Sequence, residues 1–551
     1  MRTNFQQWVA SGSPWIWMTA GGVSLSLVMV FGLLFLIAAN GLGYFWPGKV
    51  AAITVQGSAD TQEVLLGEIA DRETVSATRV RESGAKVPAG IDTVERFLIK
   101  VGNRDMGHPD FRWVAETEIK KIEYPPGVIV AERTEWGNFY GFLSELRDGG
   151  RPLPGASLAA KITQCMARSD ALKAEIKQLE RIDVGHINAG LERLRLRTRA
   201  LGKIEASTAR DEIAAKRESL EAEFAVLSDR LTRLRKDAQR DTLVLETSSG
   251  QFKDIPFDHL VRVFHPNAMS WAEKVVHYVQ KVHEFTTDEP REANTEGGVF
   301  PAIFGTVLMV MVMSIMVTPF GVIAAIYLRE YAAPGLLTSA IRIAVNNLAG
   351  VPSVVFGVFG FGFFVYFLGG SVDRLFFAAK LPAPTFGTPG LLWSAITLAL
   401  LTVPVVIVST EEGLARIPRA IREGSLALGA TKAETLWRTI IPMATPAIMT
   451  GLILAIARAA GEVAPLMMVG VVKLAPSLPL DGEFPFFHLD RKFMHLGFHI
   501  YDVGFQSPNV EAARPIVYAT AFLLVVIIVA LNLTAVQIRN RLREKYHAAD
   551  H

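Results

Sequence analysis

Six stretches of about 20 or more mostly apolar residues decide what this 551-residue chain can fold into. They cover roughly residues 15–46, 299–327, 340–368, 391–410, 440–471 and 515–537. A bilayer's hydrocarbon core is ~30 Å thick and an α-helix rises ~1.5 Å per residue, so each stretch is long enough to cross. Lipid offers no partner for backbone N–H and C=O groups, so the crossing segments must be helices. Charge follows the same division. Val299–Val408 holds six charged residues in 110 positions, Arg329, Glu330, Arg342, Asp373, Arg374 and Lys380, whereas Arg151–Arg240 holds 32 in 90. One half is suited to a membrane and the other is strongly solvated. That excludes a purely soluble protein and a chain disordered throughout.

Residues 1–46 read as an N-terminal tail and a first spanning helix. Trp8, Trp15 and Trp17 lie at one end and Tyr44, Phe45 and Trp46 at the other, as in aromatic belts at the two interfaces. The stretch is too long for a signal-peptide core and no small-residue cleavage site directly follows it. Six spans put both termini on one side. Arg539, Arg541, Arg543 and Lys545 in the tail share that side with Arg416, Arg419, Arg422, Lys432 and Arg438 of the 411–438 connection. The positive-inside rule makes this side cytoplasmic, including the 541–551 tail. Residues 47–298 are then a single extracytoplasmic insertion.

Within the insertion, Ala51–Val55, Phe97–Val101, Val128–Val130, Thr242–Glu246 and Leu260–Phe264 read as strands between Gly and Pro punctuation. Over 157–240 the period changes. Ile187, Leu191, Leu194, Thr198 and Leu201 are spaced 4-3-4-3, as are Leu220, Phe224, Leu227, Leu231 and Leu234. This predicts a coiled-coil hairpin turning near 202–208, with Gly202 as a stop and Thr208 with Asp211 as a restart cap. Arg193, Arg195, Arg197 and Arg199 read as its solvated surface. Ala268–Phe285 reads as an amphipathic helix leading to the second span.

Several functions are excluded or weakened. No GxxxxGK[ST] loop occurs, so no phosphate-cradling nucleotide site is expected in this chain. A single cysteine, Cys165, allows no intrachain disulfide framework or multi-thiolate zinc site. A net charge of +2, without a basic patch beside stacking aromatics, gives no nucleic-acid signature. His488, Asp490, His495 and His499 lie close in sequence, but ordinary surface histidines explain them better than a metal site. No catalytic, cofactor or metal residues are assigned.

The connection TEEGLARIPRAIREGSLALGATKAETLWRTIIP carries more information. Glu423 is followed by Gly429 six positions on, and by Pro442 thirteen beyond that. This resembles the EAA loop of ABC importer permeases, with Gly424-Ser425 in place of Ala-Ala, Thr439 in place of the usual Ile and Ile441 in place of Leu. In such a loop the acidic residue is expected to start a helix, the glycine to allow a bend and the proline to admit the next span. Asn346–Gly360 (NNLAGVPSVVFGVFG) and Ala457–Gly470 (ARAAGEVAPLMMVG) are similar to phosphate-specific permeases, and Ala464-Pro465-Leu466 resembles their A-type (PstA) subunit. The likeness covers about 297–543, with the insertion as a departure from the family's compact pattern.

The resemblance implies six transmembrane helices of the ABC importer type I permease fold over 299–540, plus an α+β extracytoplasmic insertion. It implies a permease subunit translocating inorganic phosphate across the bacterial inner membrane, not an enzyme. Its partners would be a C-type permease, an ATPase dimer that holds the ATP, and a periplasmic phosphate-binding protein. Glu423, Gly424, Ser425 and Gly429 would dock the ATPase. Arg458 and Glu462 are the deep charges of the fifth span, and such charges usually face a partner or a water-filled path. They suit either a structural ion pair or a phosphate-binding arginine with its counter-ion, and the resemblance favours the latter. The rival readings are a permease for another oxyanion or small solute, and a membrane-anchored sensor or scaffold.

Overall fold

A computed structural model describes Trp8 and residues 11–547, apart from 57–61, 83–87, 89, 108, 154–157, 201–206 and 508–509. Among the described residues, six helices are long and apolar enough to cross a membrane: Ser13–Gly43, Phe300–Tyr331, Ser353–Phe376, Leu391–Ala415, Lys432–Gly461 and Ala513–Glu544. The fourth is the most enclosed, packing against the second and the fifth. Small residues allow these contacts. A Cβ at Gly321 would lie 2.6 Å from Val406 Cγ1, and one at Gly451 would lie 2.8 Å from Ser409 Cβ. The core they surround includes Met309, Met313, Leu398, Leu401, Ala455 and Ala459.

Two expected spans break. Residues 340–368 do not form one helix: Leu336–Leu348 stops, and a new helix begins at Ser353 behind Pro352. Proline lacks an N–H and disfavours helical geometry at the preceding residue, so Val351-Pro352 interrupts the ladder. The separate helix Leu336–Leu348 has no fully buried residue, and Leu336 and Leu337 are strongly exposed. Residues 440–471 likewise divide: the fifth span ends at Gly461, and a short helix, Leu466–Val469, follows Pro465. The last helix starts before the expected 515 and continues to His547.

Among the described residues the insertion contains two large antiparallel sheets and a two-stranded pair, Pro290–Arg291 with Glu296–Gly297. The first has the order β4-β3-β2-β1-β5, from Val50–Gln56 (β1), Gln62–Ser76 (β2), Thr93–Lys100 (β3), Phe111–Ala115 (β4) and Ile119–Glu123 (β5). The second has the order β10-β9-β7-β6-β11, from Val128–Arg133 (β6), Phe139–Asp148 (β7), Asp241–Glu246 (β9), Phe252–Pro256 (β10) and Leu260–Phe264 (β11). The short β8, Arg151–Pro152, pairs with β7. Buried Val50, Leu66, Val128, Val130 and Tyr140 join the two sheets.

Two helical arms rise from the second sheet. The first runs from Leu158 to Ala200 with a π-helical turn at Leu179–Asp183, and the second is Ser207–Ala238. Leu158, Ile162, Cys165 and Met166 root the first arm on the sheet core. Arg230–Glu175 and Arg235–Glu180, both 2.6 Å, tie the arms together. The expected turn at 202–208, with Gly202 and Leu201, lies largely outside the described residues, and nothing is assigned to the Thr208 cap. The arginine series is exposed, but two of its members also reach loops of the helical core. Arg199 donates to the carbonyls of Ala379 (3.1 Å) and Leu381 (2.8 Å), and Arg193 lies 3.9 Å from Glu483. The first arm therefore leans on the outer loops of the helical core.

The insertion joins that core through Trp271–Thr287, capped by Ser270, whose hydroxyl accepts from the Glu273 N–H. At this joint Glu132 and Glu284 are buried among Lys281, Arg262 and Arg291. Lys281 lies 2.5 Å from Glu132, and Arg291 lies 2.5 Å from Glu284. Burial alone would raise the Glu132 pKa, but Lys281, Arg291 and Arg262 outweigh it and hold the carboxyl at about 2.

Candidate translocation and coupling sites

Two segments more than 100 residues apart in sequence meet in the helical core. Gly357, in the helix that follows Pro352, faces Pro465 in the break of the fifth span; a Cβ there would lie 2.8 Å from Pro465 Cα. Leu348, Val351 and Phe356 from the first segment pack with Ala459, Ala460 and Leu466 from the second. A proline starts the new helix after each break, Pro352 and Pro465, and each interruption fits against the other. Irregular backbone at membrane depth is tolerated only when buried in protein or lining a water-filled cavity.

Arg458 and Glu462 sit at this break. Glu462 is not inside a helix as expected. It is the C-terminal cap of Ile441–Gly461, with extended φ −81° and ψ 131°. The pair nevertheless forms, with Arg458 Nε 3.6 Å from Glu462 Oε1 and side-chain exposures of 32% and 21%. A guanidinium beside one carboxylate at this distance, partly open, retains donors for a further anion. Its position at the C-terminal end of a helix also favours a cation.

Behind the break, His495 caps the short helix Leu496–Tyr501 through its Nδ1, which accepts from the Gly497 N–H (3.1 Å). Burial pushes the pKa values of His495 and His499 down to about 4. His488 instead pairs with Asp481 at 2.9 Å. The expected surface placement fails: His488, His495 and His499 are all buried, because the outer loop folds back onto the helical core and not into solvent. Among the described residues, no group of three or more metal-ligating side chains forms.

On the opposite side lies the connection between the fourth and fifth spans. Its helix is Arg419–Ala427, starting behind Pro418, so Glu423 occupies the middle and not the start as expected. Glu423 and Gly424 are exposed, and Ser425 shares a 2.9 Å hydroxyl contact with Thr435. Gly429 has φ +88°, a left-handed conformation that stops the helix and that side chains resist. Thr431 then caps the next helix, accepting from the Glu434 N–H while Glu434 accepts from the Thr431 N–H.

Sequence reasoning missed the clamp that holds this helix. Arg422 Nη1 donates to Ile417 O (2.9 Å), while Nη2 donates to Leu414 O (2.7 Å) and Glu330 (3.0 Å). Glu330 lies at the end of the second span, so Arg422 ties the connection to two spans. Its apolar surface was also missed. Leu428 is 91% and Trp437 is 72% exposed, and Leu426 is exposed as well. The hydrophobic residues were visible in sequence, but their unpartnered orientation was not.

Residues 317–544 match the family model for the binding-protein-dependent transport system inner membrane component. The phosphate transport system permease protein PstA 1 of Mycobacterium tuberculosis is 34% identical over 244 residues, covering 44% of this chain and 71% of that protein. PstA of Yersinia pestis is 31% identical over 251 residues, covering 46% and 75% respectively. Among solved structures, a chain of the inward-facing MetNI methionine ABC transporter aligns over 44% of this chain and 94% of its own, at 17% identity and a TM-score of 0.32.

Proposed function

Because the chain belongs to the PstA family of phosphate transport system permease proteins, we propose that it is the membrane-spanning permease subunit of an ABC importer for inorganic phosphate. It acts in the bacterial inner membrane with both termini cytoplasmic and residues 47–298 in the periplasm. It works with a C-type permease, and a separate ATPase dimer supplies the energy. A periplasmic phosphate-binding protein delivers the anion.

The observation that carries the reading is the Arg458–Glu462 pair at the broken fifth span, set against the Pro352 break. In this reading the Arg458 guanidinium binds phosphate through several N–H donors. Glu462 balances its charge when the path is empty, because an unpaired charge in low dielectric is costly. Glu423, Gly424, Ser425 and Gly429 shape the segment that docks on the ATPase, and Arg422 passes its movement to the spans. The apolar Leu426, Leu428 and Trp437 supply area for that contact. The test is radiolabelled phosphate uptake by proteoliposomes containing this chain with its co-expressed permease, ATPase and binding protein. ATP-dependent uptake that excess sulfate or molybdate does not suppress is expected. Uptake of another oxyanion in preference to phosphate would refute the assignment.

A further inference from the structure

A cavity of about 580 Å³ lies where the first and last spans meet the first sheet, on the side of the insertion. Asn40 and Tyr44 line it from the first span, Arg514 and Tyr518 from the last, and Asp71 and Lys100 from β2 and β3. Its volume falls within the ~300–1,000 Å³ range of small-molecule sites. Gly41 keeps the two spans in backbone contact here, since a Cβ would lie 2.8 Å from Tyr518 O. Gly43 ends the first span and Ala513 begins the last, so the cavity stands at the depth where both leave hydrocarbon. Tyr44, Trp46 and Tyr518 fit that depth, because amphipathic rings prefer the headgroup zone.

Its charges are of both signs and incompletely paired. Arg514 is exposed and makes no hydrogen bond or ion pair among the described residues. Lys100 has its nearest carboxylate, Glu296, at 3.9 Å. The Asp71 carboxylate accepts from the neighbouring Arg72 N–H at 2.8 Å, and Glu68 takes a hydrogen bond from the Tyr140 hydroxyl. Two cations and two carboxylates in one cavity fit a ligand carrying a phosphate and an ammonium together. Inorganic phosphate would satisfy the cations but bring like charge towards Asp71 and Glu68. Phe35, Leu36 and Leu42 are exposed along the first span, offering an apolar track for acyl chains.

We propose that this cavity holds the headgroup of a zwitterionic phospholipid of the phosphoethanolamine class, from the leaflet facing the insertion. Lys100 and Arg514 receive the phosphodiester, and Asp71 and Glu68 receive the ammonium. The lipid wedges the first span, which otherwise packs chiefly on the last, against the base of the insertion.

The test uses the full chain purified in mild detergent from membranes rich in phosphatidylethanolamine, with bound lipid quantified by mass spectrometry. Arg514→Gln should lower retained phosphatidylethanolamine about tenfold, the effect of one lost charge-assisted hydrogen bond. Asp71→Asn should shift retention towards phosphatidylglycerol. Both residues are exposed, so the melting temperature reports whether either variant has instead misfolded. Equal phosphatidylethanolamine retention by the wild type and a folded Arg514→Gln would overturn the proposal. So would an unchanged headgroup preference in Asp71→Asn, or radiolabelled inorganic phosphate binding abolished by Arg514→Gln without any retained lipid.

Discussion

Neutralising the pair at the broken fifth span separates substrate binding from packing. Arg458 Nε and Glu462 Oε1 are 3.6 Å apart, with side chains 32% and 21% exposed. At that distance the Coulomb attraction is about 1 kcal/mol at the dielectric of water and about 5 kcal/mol at an effective dielectric near 20. Desolvation offsets much of the larger value, and partial exposure places the pair towards the weaker limit. A net contribution of roughly 1 kcal/mol is expected. Arg458→Gln, Glu462→Gln and the double variant should therefore all reach the membrane at near-normal abundance and melt within a few degrees of the wild type. Phosphate uptake in proteoliposomes should nevertheless fall at least tenfold in Arg458→Gln and remain low in the double variant. Arg458→Lys should keep the charge but lose the planar fork, with a substantial loss of uptake. Near-normal uptake by the double variant would show that the pair is packing, and the translocation role of Arg458 would be abandoned.

Gly429→Val forces a β-branched side chain into φ +88°, costing about 1–3 kcal/mol locally; phosphate-stimulated ATPase activity of the assembled importer should collapse at unchanged membrane abundance, and normal stimulation would remove the coupling role. Cys165 is half-buried against the second sheet, and burial followed by Asp241 and Asp148 raises its thiol pKa. A membrane-impermeant maleimide should label it slowly, faster at alkaline pH, and only from the periplasmic side; labelling from the cytoplasm alone would invert the topology. Burial lowers the pKa values of His277, His495 and His499 to about 4, with Arg262 and Lys281 adding to the effect at His277. The unfolded chain takes up protons on these groups from about pH 6.5 downwards while the folded chain does not, so stability should decline between about pH 6.5 and 4. Glu132 extends the loss below about pH 4.5, as protonation in the unfolded state weakens the advantage of its buried ion pairs. Thermal unfolding of the purified chain across this range should show a falling midpoint, and a flat profile would contradict the burial of these histidines.

The sequence by itself determined the number of spans, because bilayer thickness demands long apolar runs and no other feature of a chain produces six of them. It also placed two helical arms within the insertion, whose 4-3 spacing is local, and a glycine at position 429 that ends the helix between the fourth and fifth spans. Pro352 and Pro465 were visible, but their consequence was not: proline in a span either kinks a helix or ends it, and neighbouring helices decide which. The two segments pack against each other where they break, with Gly357 against Pro465. Glu462 stands beside that contact, at a helix end and not within one. The Arg422 clamp, the Glu132 ion cluster and the lean of Arg199 onto the outer loops depend on residues 92, 149 and about 180 positions apart. Local periodicity carries no information about such pairings. Tertiary structure decided them, because a charged side chain's partner is set by where the packed elements bring opposite charge within reach.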